Sequence, residues 1–297
     1  MKRLLLLPLL LLFGCAQNHF NVPQETIAEK VRVLGVAPIM IDAGSEISHP
    51  EREALLALLE EQNRAQDPLL VRKLKATGNF FTVVLMDDPP QPLFSTLLFR
   101  REKRDDASVV YNKHFWNAQE LEAYLQKNRI DALMLVAVSG ITKKDKMYSR
   151  DLLDGLFSDY NYLVMSAQIV DKSGMVLWEY PNFRQRLLTY YPMVNLQYPD
   201  FSEAEANLMP LAQVKFKTID GLKRAFARKQ KDMLLRETHE SGIYGRQFDE
   251  MISLLALDRD VLRKGNAPAE TPAAAPVQDA VPAAVPPSAE ADAPPAR

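Results

Sequence analysis

Apolar and polar residues alternate along the chain in blocks that predict buried strands. Val31–Met40, Phe80–Met86 and Ala132–Val138 are short, mostly apolar runs, a pattern typical of strands covered on both faces. Helical patterns separate them, and strands joined through helices favour parallel pairing. These three runs therefore predict the parallel part of a sheet.

Helix signals fill the intervals between these runs. Ser48 begins an S-x-x-E capping box, Asp67-Pro68 predicts the start of a second helix, and Gly78 predicts its end. Asn117 opens a further helix. The mixed-charge run Arg100–Asp106 predicts a solvated loop.

The second half of the pattern predicts antiparallel pairing. Tyr162–Val170 alternates apolar residues with Ser166 and Gln168, and the turn at Asp171–Gly174 leads into Met175–Tyr180. Helices are predicted between Leu211 and Gln230 and again after Gly242. The predicted fold is α/β: a three-layer mixed sheet with parallel strands plus an antiparallel hairpin, flanked by helices.

The amino terminus has the layout of a secretory leader. Lys2 and Arg3 precede an apolar run of about 10 residues, which is too short to span a bilayer, and Gly14 then precedes Cys15. Leu12-Phe13-Gly14-Cys15 resembles the lipobox of bacterial lipoproteins. We therefore predict a signal peptide over residues 1–14 and a lipid, palmitate included, on Cys15.

The chain divides by composition into a domain and two flanking segments. A polar tether is predicted over 15–28 and an α/β periplasmic domain over 29–265. Residues 266–297 are dominated by Ala and Pro and predict a disordered tail, because they lack the apolar side chains that a core requires.

Composition and charge exclude several classes of function. The net charge of −2 and the sequence pI near 6.1 give no basis for nucleic-acid binding. Cys15 is the single cysteine, which excludes internal disulfides and cysteine-based zinc sites. Hydrophobic residues make up 47% of the 297 residues, enough for a sizeable core.

No enzyme signature occurs in the sequence. The four histidines are far apart, and no G-x-S-x-G, Walker or G-x-G-x-x-G motif is present. Asp87-Asp88 follows a predicted strand and is compatible with a cation site or acid–base chemistry, but a solvated turn is the simpler interpretation. We predict no catalytic residue, no metal, no cofactor and no enzyme activity.

The link between the hairpin and the next helix is rich in aromatic residues. Phe183, Tyr190, Tyr191, Tyr198 and Phe201 lie there among prolines that limit flexibility. Semi-rigid tyrosines suit a binding surface, although aromatic residues also build cores. Tyr190, Tyr191 and Tyr198 are the predicted partner-binding residues.

Three segments resemble a superfamily of periplasmic lipoprotein domains. They are Val31–Pro38, Arg129–Gly140 and the Ser166–Trp178 segment with its Asp171-Lys172-Ser173-Gly174 turn. This superfamily includes the curli-production transport lipoprotein, the lipoprotein activators of penicillin-binding proteins and the amino-terminal domain of TolB. The resemblance implies a non-catalytic α/β domain that binds proteins.

The predicted role is therefore that of a lipid-anchored lipoprotein at the cell envelope, at the periplasmic face of the outer membrane. It would bind envelope proteins, or further copies of itself, in assembling or regulating a complex. The alternative is a periplasmic small-ligand-binding or hydrolytic domain. A pocket with convergent polar groups favours that alternative, and an apolar surface favours protein binding.

The lipid on Cys15 is directly testable. Metabolic labelling with a palmitate analogue is expected to mark the wild type and not the Cys15→Ala variant, because the thiol is the acceptor. Equal labelling of the two proteins would contradict the predicted anchor.

Overall fold

A mixed sheet with helices on both faces forms the centre of the computed structural model, which describes residues 20–105, 110–148, 155–182, 191–198, 214–231 and 236–257. Cys15, Tyr190, Phe183, Phe201, Leu211 and the tail from residue 266 lie outside these ranges. Within the described part, no helix combines the length and apolarity needed to cross a bilayer.

The described elements include the predicted alternation of strands and helices, together with strands and helices that the pattern does not predict. They are α1 (Gln24–Lys30), β1 (Val33–Val36), β2 (Met40–Asp42), α2 (Arg52–Thr77), β3 (Thr82–Leu85), α3 (Pro90–Leu97), β4 (Leu98–Arg104), β5 (Tyr111–Trp116), α4 (Ala118–Asn128), β6 (Ala132–Tyr148), β7 (Gly155–Asp171), β8 (Val176–Tyr180), β9 (Val194–Asn195), α5 (Ile219–Ala227), β10 (Lys229–Lys231), β11 (Glu237–Ser241) and α6 (Gly242–Ser253).

The main sheet contains seven strands, and its central path runs β3-β1-β6-β7-β8. Strand β1 pairs in parallel with both β3 and β6, whereas β6, β7 and β8 pair antiparallel. Strand β2 continues along β6 in parallel, and β9 adds to β7. The predicted combination of parallel strands and an antiparallel hairpin is confirmed.

Strand β6 is covered on both faces, which makes three layers. Met134, Val136 and Val138 face one core, and Leu133 and Leu135 face the other. The first core lies against α1, α2, α5 and α6, and the second lies against α3 and α4. Alternation with a period of two explains how one apolar run supplies both cores.

The first predicted strand is divided in two. Residues 31–40 form β1 and the start of β2, with Ala37–Ile39 between them. Pro38 has no N–H to donate to the sheet. The amide of Ile39 donates instead to Asp67 Oδ1 at 2.9 Å, away from the strand direction.

The prediction of two helices at Ser48 and Asp67 is wrong. Helix α2 is one 26-residue helix that begins at Arg52, and its N-cap residue Glu51 makes no side-chain capping bond. Pro68 lies within it. Asp67 accepts a hydrogen bond from the Ile39 backbone and so does not cap a new helix.

Other local signals are confirmed. The Asn117 side chain accepts from the amides of Gln119 and Glu120 and caps α4. Gly78 ends α2 at φ 70°, and Gly174 occupies the β7–β8 turn at φ 79°. A left-handed backbone conformation at these two positions requires glycine or costs strain.

Two hairpins extend beyond what the sequence predicts. Strands β6 and β7 are each 17 residues long and pair over their full length, so much of residues 143–157 is strand. Arg100–Arg104 belongs to β4, which pairs antiparallel with β5. The solvated loop predicted for Arg100–Asp106 is therefore wrong over most of its length, because its charged side chains lie along an exposed strand.

Candidate functional site

A polar seam joins the β4–β5 hairpin to the main sheet. Alternate residues of β5 face the sheet, and each makes a polar contact with it. Asn112 Nδ2 donates to Ser139 Oγ at 3.0 Å, and Trp116 Nε1 donates to Gln168 Oε1 at 2.5 Å. Between them, His114 lies beside Ser166. The polar side chains predicted on one face of Tyr162–Val170, Ser166 and Gln168, are thus covered by the β4–β5 hairpin.

Asp42 lies at the centre of this seam. It follows two buried residues of β2, and 2% of its side chain is exposed. Its Oδ1 accepts a hydrogen bond from Arg101 at 2.5 Å, and its Oδ2 lies 3.0 Å from His114 Nε2. Arg101 also donates to the carbonyl of Gly44 at 2.7 Å. One carboxylate therefore holds both strands of the hairpin.

The surroundings of Asp42 favour its charged form. Burial alone would raise the pKa of this carboxyl, but the hydrogen bonds from His114 and Arg101 lower the pKa below its ordinary value. A buried carboxylate with two such donors is satisfied, and removing one member would leave a charge in a dry environment.

The seam contains the residue types of a serine hydrolase. Ser166 Oγ lies 3.4 Å from His114 Nδ1, and Asp42 lies on the opposite ring nitrogen. Each of the three residues is at most 8% exposed, and none lines a described pocket. A nucleophile requires access to its substrate, and Arg101 already neutralises the acid. The geometry therefore favours a structural role for this seam.

An open pocket of about 420 Å³ lies at the carboxyl ends of β1 and β3. Its wall includes Glu60, Asp67, Asp87 and Asp88 beside Arg64. This is the edge at which open α/β sheets often bind ligands. The predicted pair Asp87-Asp88 thus meets two further acids that the sequence pattern did not reveal.

The acids of this pocket have separate environments. Burial raises the pKa of Asp67 to about 6, and the Ile39 amide and Arg64 lower it only in part. Asp88 accepts a hydrogen bond from the Tyr124 hydroxyl, and Glu60 pairs with Arg64 at 3.4 Å. No set of three His, Cys, Asp or Glu residues in the described ranges is arranged to hold a metal ion.

The predicted tyrosines lie at the two ends of residues 191–198. Tyr191 is 60% exposed and Tyr198 is 38% exposed, whereas Leu196 between them is fully buried. Tyr190 lies outside the described residues. The structure therefore places two of the three predicted side chains at the surface.

The backbone between these tyrosines is fixed by the domain. Strand β9 pairs with β7, with Asn195 opposite Tyr162. Tyr198 N–H donates to the Lys215 carbonyl at 2.9 Å, and the Tyr191 carbonyl accepts from Gln247 at 3.4 Å. An aromatic surface on a held backbone loses little conformational entropy when it binds.

A cation lies beside one of the two exposed rings. Lys217 Nζ is 5.9 Å from the Tyr198 ring centroid and donates to the Asn195 carbonyl at 2.7 Å. Burial lowers the pKa of Lys217. This contact further fixes the carboxyl-terminal tyrosine of the segment.

Sequence reasoning missed the contribution of His114. Spacing along the chain gave no signal, because its partners Asp42 and Ser166 are 72 and 52 residues away. Two weaker signals were present. A charged residue ended an apolar strand at Asp42, and polar residues followed one face of a strand at Ser166 and Gln168.

Comparison with known proteins assigns no family. No protein-family model matches the chain, and no curated protein matches it. A neuraminyllactose-binding hemagglutinin homolog from Helicobacter pylori aligns over 85% of this chain and 96% of its own, with 8% identity and a TM-score of 0.32. The lipoprotein GNA1162 from Neisseria meningitidis aligns over 50% of this chain and 77% of its own, with 15% identity and a TM-score of 0.20. These scores are too low for either similarity to support an argument about function.

The Asp42→Asn substitution tests the seam. It removes the charge and places an amide donor against Arg101 or His114. Because one member of a buried pair is then lost, we expect the free energy of unfolding at pH 7 to fall by about 3–5 kcal/mol. Chemical denaturation measures this change.

The pH dependence of the free energy of unfolding tests whether the charged form of Asp42 is the stabilising one. The folded-state pKa of Asp42 is lowered, so its contribution is present above the unfolded pKa of about 4 and is lost as pH falls through the folded value. The difference between wild type and variant should shrink in acid. Glu60→Gln, in an exposed pair, is the control, with an expected change below about 0.5 kcal/mol. An Asp42→Asn variant as stable as wild type at pH 7 would contradict this account.

Proposed function

We propose that this chain is a lipid-anchored lipoprotein of the bacterial envelope that binds protein partners and takes part in assembling or regulating an envelope complex. The observation that carries the binding role is the exposed pair Tyr191 and Tyr198 on a backbone segment held by the domain. Tyrosine is enriched at the centres of protein interfaces, where its ring supplies area and its hydroxyl a hydrogen bond.

The anchor and the domain fit together geometrically. Phe20 forms a bridge with Trp178 of β8, and the amide of Asn21 donates to the Leu177 carbonyl at 2.9 Å. Phe20 is five residue steps from Cys15, and a fully extended chain of five steps spans at most about 18 Å. A lipid on Cys15 would therefore keep the β8 edge close to the membrane.

The sealed polar seam supports a binding role over a catalytic one. Its serine, histidine and aspartate are used to dock a hairpin, whereas the rings of Tyr191 and Tyr198 are accessible. The alternative, a small-ligand or hydrolytic domain, depends on the acidic pocket at the strand ends. Asp67, Asp87 and Asp88 line that pocket, and its wall contains neither histidine nor serine.

The binding surface can be tested by site-specific crosslinking in intact cells. A photoreactive benzoyl-phenylalanine at position 191, or at position 198, is expected to capture the same envelope protein. The Tyr190→Ala/Tyr191→Ala/Tyr198→Ala variant should recover several-fold less of that protein on affinity purification. Its free energy of unfolding should change by less than about 1 kcal/mol, since the described rings are exposed.

Two matched positions serve as controls. Phe99 is 70% exposed on another part of the domain, so a photoreactive group there should not capture the same protein. Tyr244 is fully buried, and Tyr244→Ala should cost about 3–5 kcal/mol of stability. The proposed surface is wrong if position 99 captures the same protein equally well, or if the triple variant unfolds.

A further inference from the structure

Strand β3 forms one edge of the main sheet in the described part of the chain. Among the described strands it pairs with β1 alone. Residues 81–86 read Phe-Thr-Val-Val-Leu-Met, without charge or proline. Phe81 is 90% exposed, Val84 40% and Leu85 37%. Proteins usually guard an edge strand by keeping it very short or by adding a charge, a proline or a bulge. Strand β3 has four residues but none of the other guards, and an exposed apolar edge favours pairing with another chain.

The backbone of β3 presents hydrogen-bonding groups to this edge. The amide of Thr82 donates to the carbonyl of Arg32, the residue before Val33, at 3.0 Å, and the amide of Met86 donates to the Val36 carbonyl at 2.9 Å. Backbone direction alternates along a strand, so Val83 and Leu85 point their N–H and C=O groups away from β1. Two outward residues separated by one inward residue form a unit that another strand can pair with.

Charge is distributed unequally along this edge. Lys75 and Arg72 line the groove beside β3, and Arg72 also pairs with Glu240 at 3.5 Å. Because α2 runs opposite to β3, Lys75 lies towards the Thr82 end. Asp87 and Asp88 follow the other end of the strand. The edge therefore has a basic end and an acidic end.

We propose that the β3 edge binds the β3 edge of a second copy of this chain, antiparallel and about a twofold axis at Val84. Val83 of each copy then exchanges both backbone hydrogen bonds with Leu85 of the other, which gives four bonds. The same rotation brings the basic end of each edge to the acidic end of the other. A surface with this distribution is complementary to itself, as an isologous contact requires.

The proposed pairing leaves the membrane tether accessible. The tether enters the sheet at β8, four strand spacings from β3, or about 19 Å. Joining two β3 edges places both β8 edges at the outer ends of one continuous sheet. The pairing is also independent of the tyrosine surface, so it can fail while the proposed partner binding holds.

Cysteine crosslinking of the full mature chain in its membrane tests the register. Opposed Val84 residues would form a non-hydrogen-bonded pair with Cα atoms about 4.5 Å apart, which a disulfide can bridge. Under mild oxidation, Val84→Cys is expected to give several-fold more covalent dimer than Phe81→Cys or Phe157→Cys. The last two positions are more exposed, at 90% and 74%, so random collision would favour them. Wild type controls for the thiol of Cys15.

A second variant tests pairing without a disulfide. Val84→Lys places a charge at the proposed twofold axis and should convert the detergent-solubilised protein from dimer to monomer mass in light scattering, with an unchanged far-ultraviolet circular dichroism spectrum. The proposal is overturned if wild type has monomer mass, or if crosslinking at position 84 does not exceed that at 81 and 157. It is also overturned if the crosslink at position 84 forms in a chain that ends at Gly265 but not in the full mature chain. In that case residues 266–297, and not a second copy, would occupy the β3 edge.

Discussion

The attachment of the β4–β5 hairpin to the main sheet depends on the buried carboxylate of Asp42. Asp42 ends β2 and receives hydrogen bonds from both strands of the β4–β5 hairpin, through Arg101 and His114. Without this carboxylate, Arg101 and His114 would lose the acceptor that holds them against the main sheet beside Ser166. A buried charge is tolerated only where paired donors replace water, and both donors here come from one hairpin. The contact therefore selects one docking position for the hairpin.

The buried polar contacts of the domain are therefore distinct from its exposed aromatic and apolar surfaces. The polar residues with catalytic potential are used to join layers, while accessible aromatic and apolar side chains lie elsewhere. The two edges of the sheet also differ. The β8 edge is continued by residues 20–21 and lies near the proposed anchor, whereas β3 keeps an uncharged apolar edge. Anchoring, partner binding and self-association can thus occupy separate parts of one domain.

Local patterns predict the local structure well and the long-range contacts poorly. The alternation through Ala132–Val138, the cap at Asn117 and the turn at Gly174 depend on near neighbours, and each appears as expected. Asp67-Pro68 wrongly predicted the start of a helix, because the Asp67 side chain accepts a hydrogen bond from the distant Ile39 amide and does not cap a helix. The charged sequence of β4 is typical of a loop. It forms a strand because it pairs with β5, and its own apolar content gives no sign of this. The candidate site follows the same rule. The aromatic-rich segment predicted Tyr191 and Tyr198 as surface residues, whereas no pattern predicted the contact between Asp42 and His114, which are 72 residues apart.

The central claim is that the buried seam is structural and that the protein acts through its surface. A fluorophosphonate probe tests this claim directly, because it labels a serine only when that serine is activated and accessible. The account predicts that folded wild-type protein is labelled no more than the Ser166→Ala variant, under conditions in which a known serine hydrolase is fully labelled. Labelling of Ser166 that is lost in both Ser166→Ala and His114→Ala would contradict the account and identify a catalytic site.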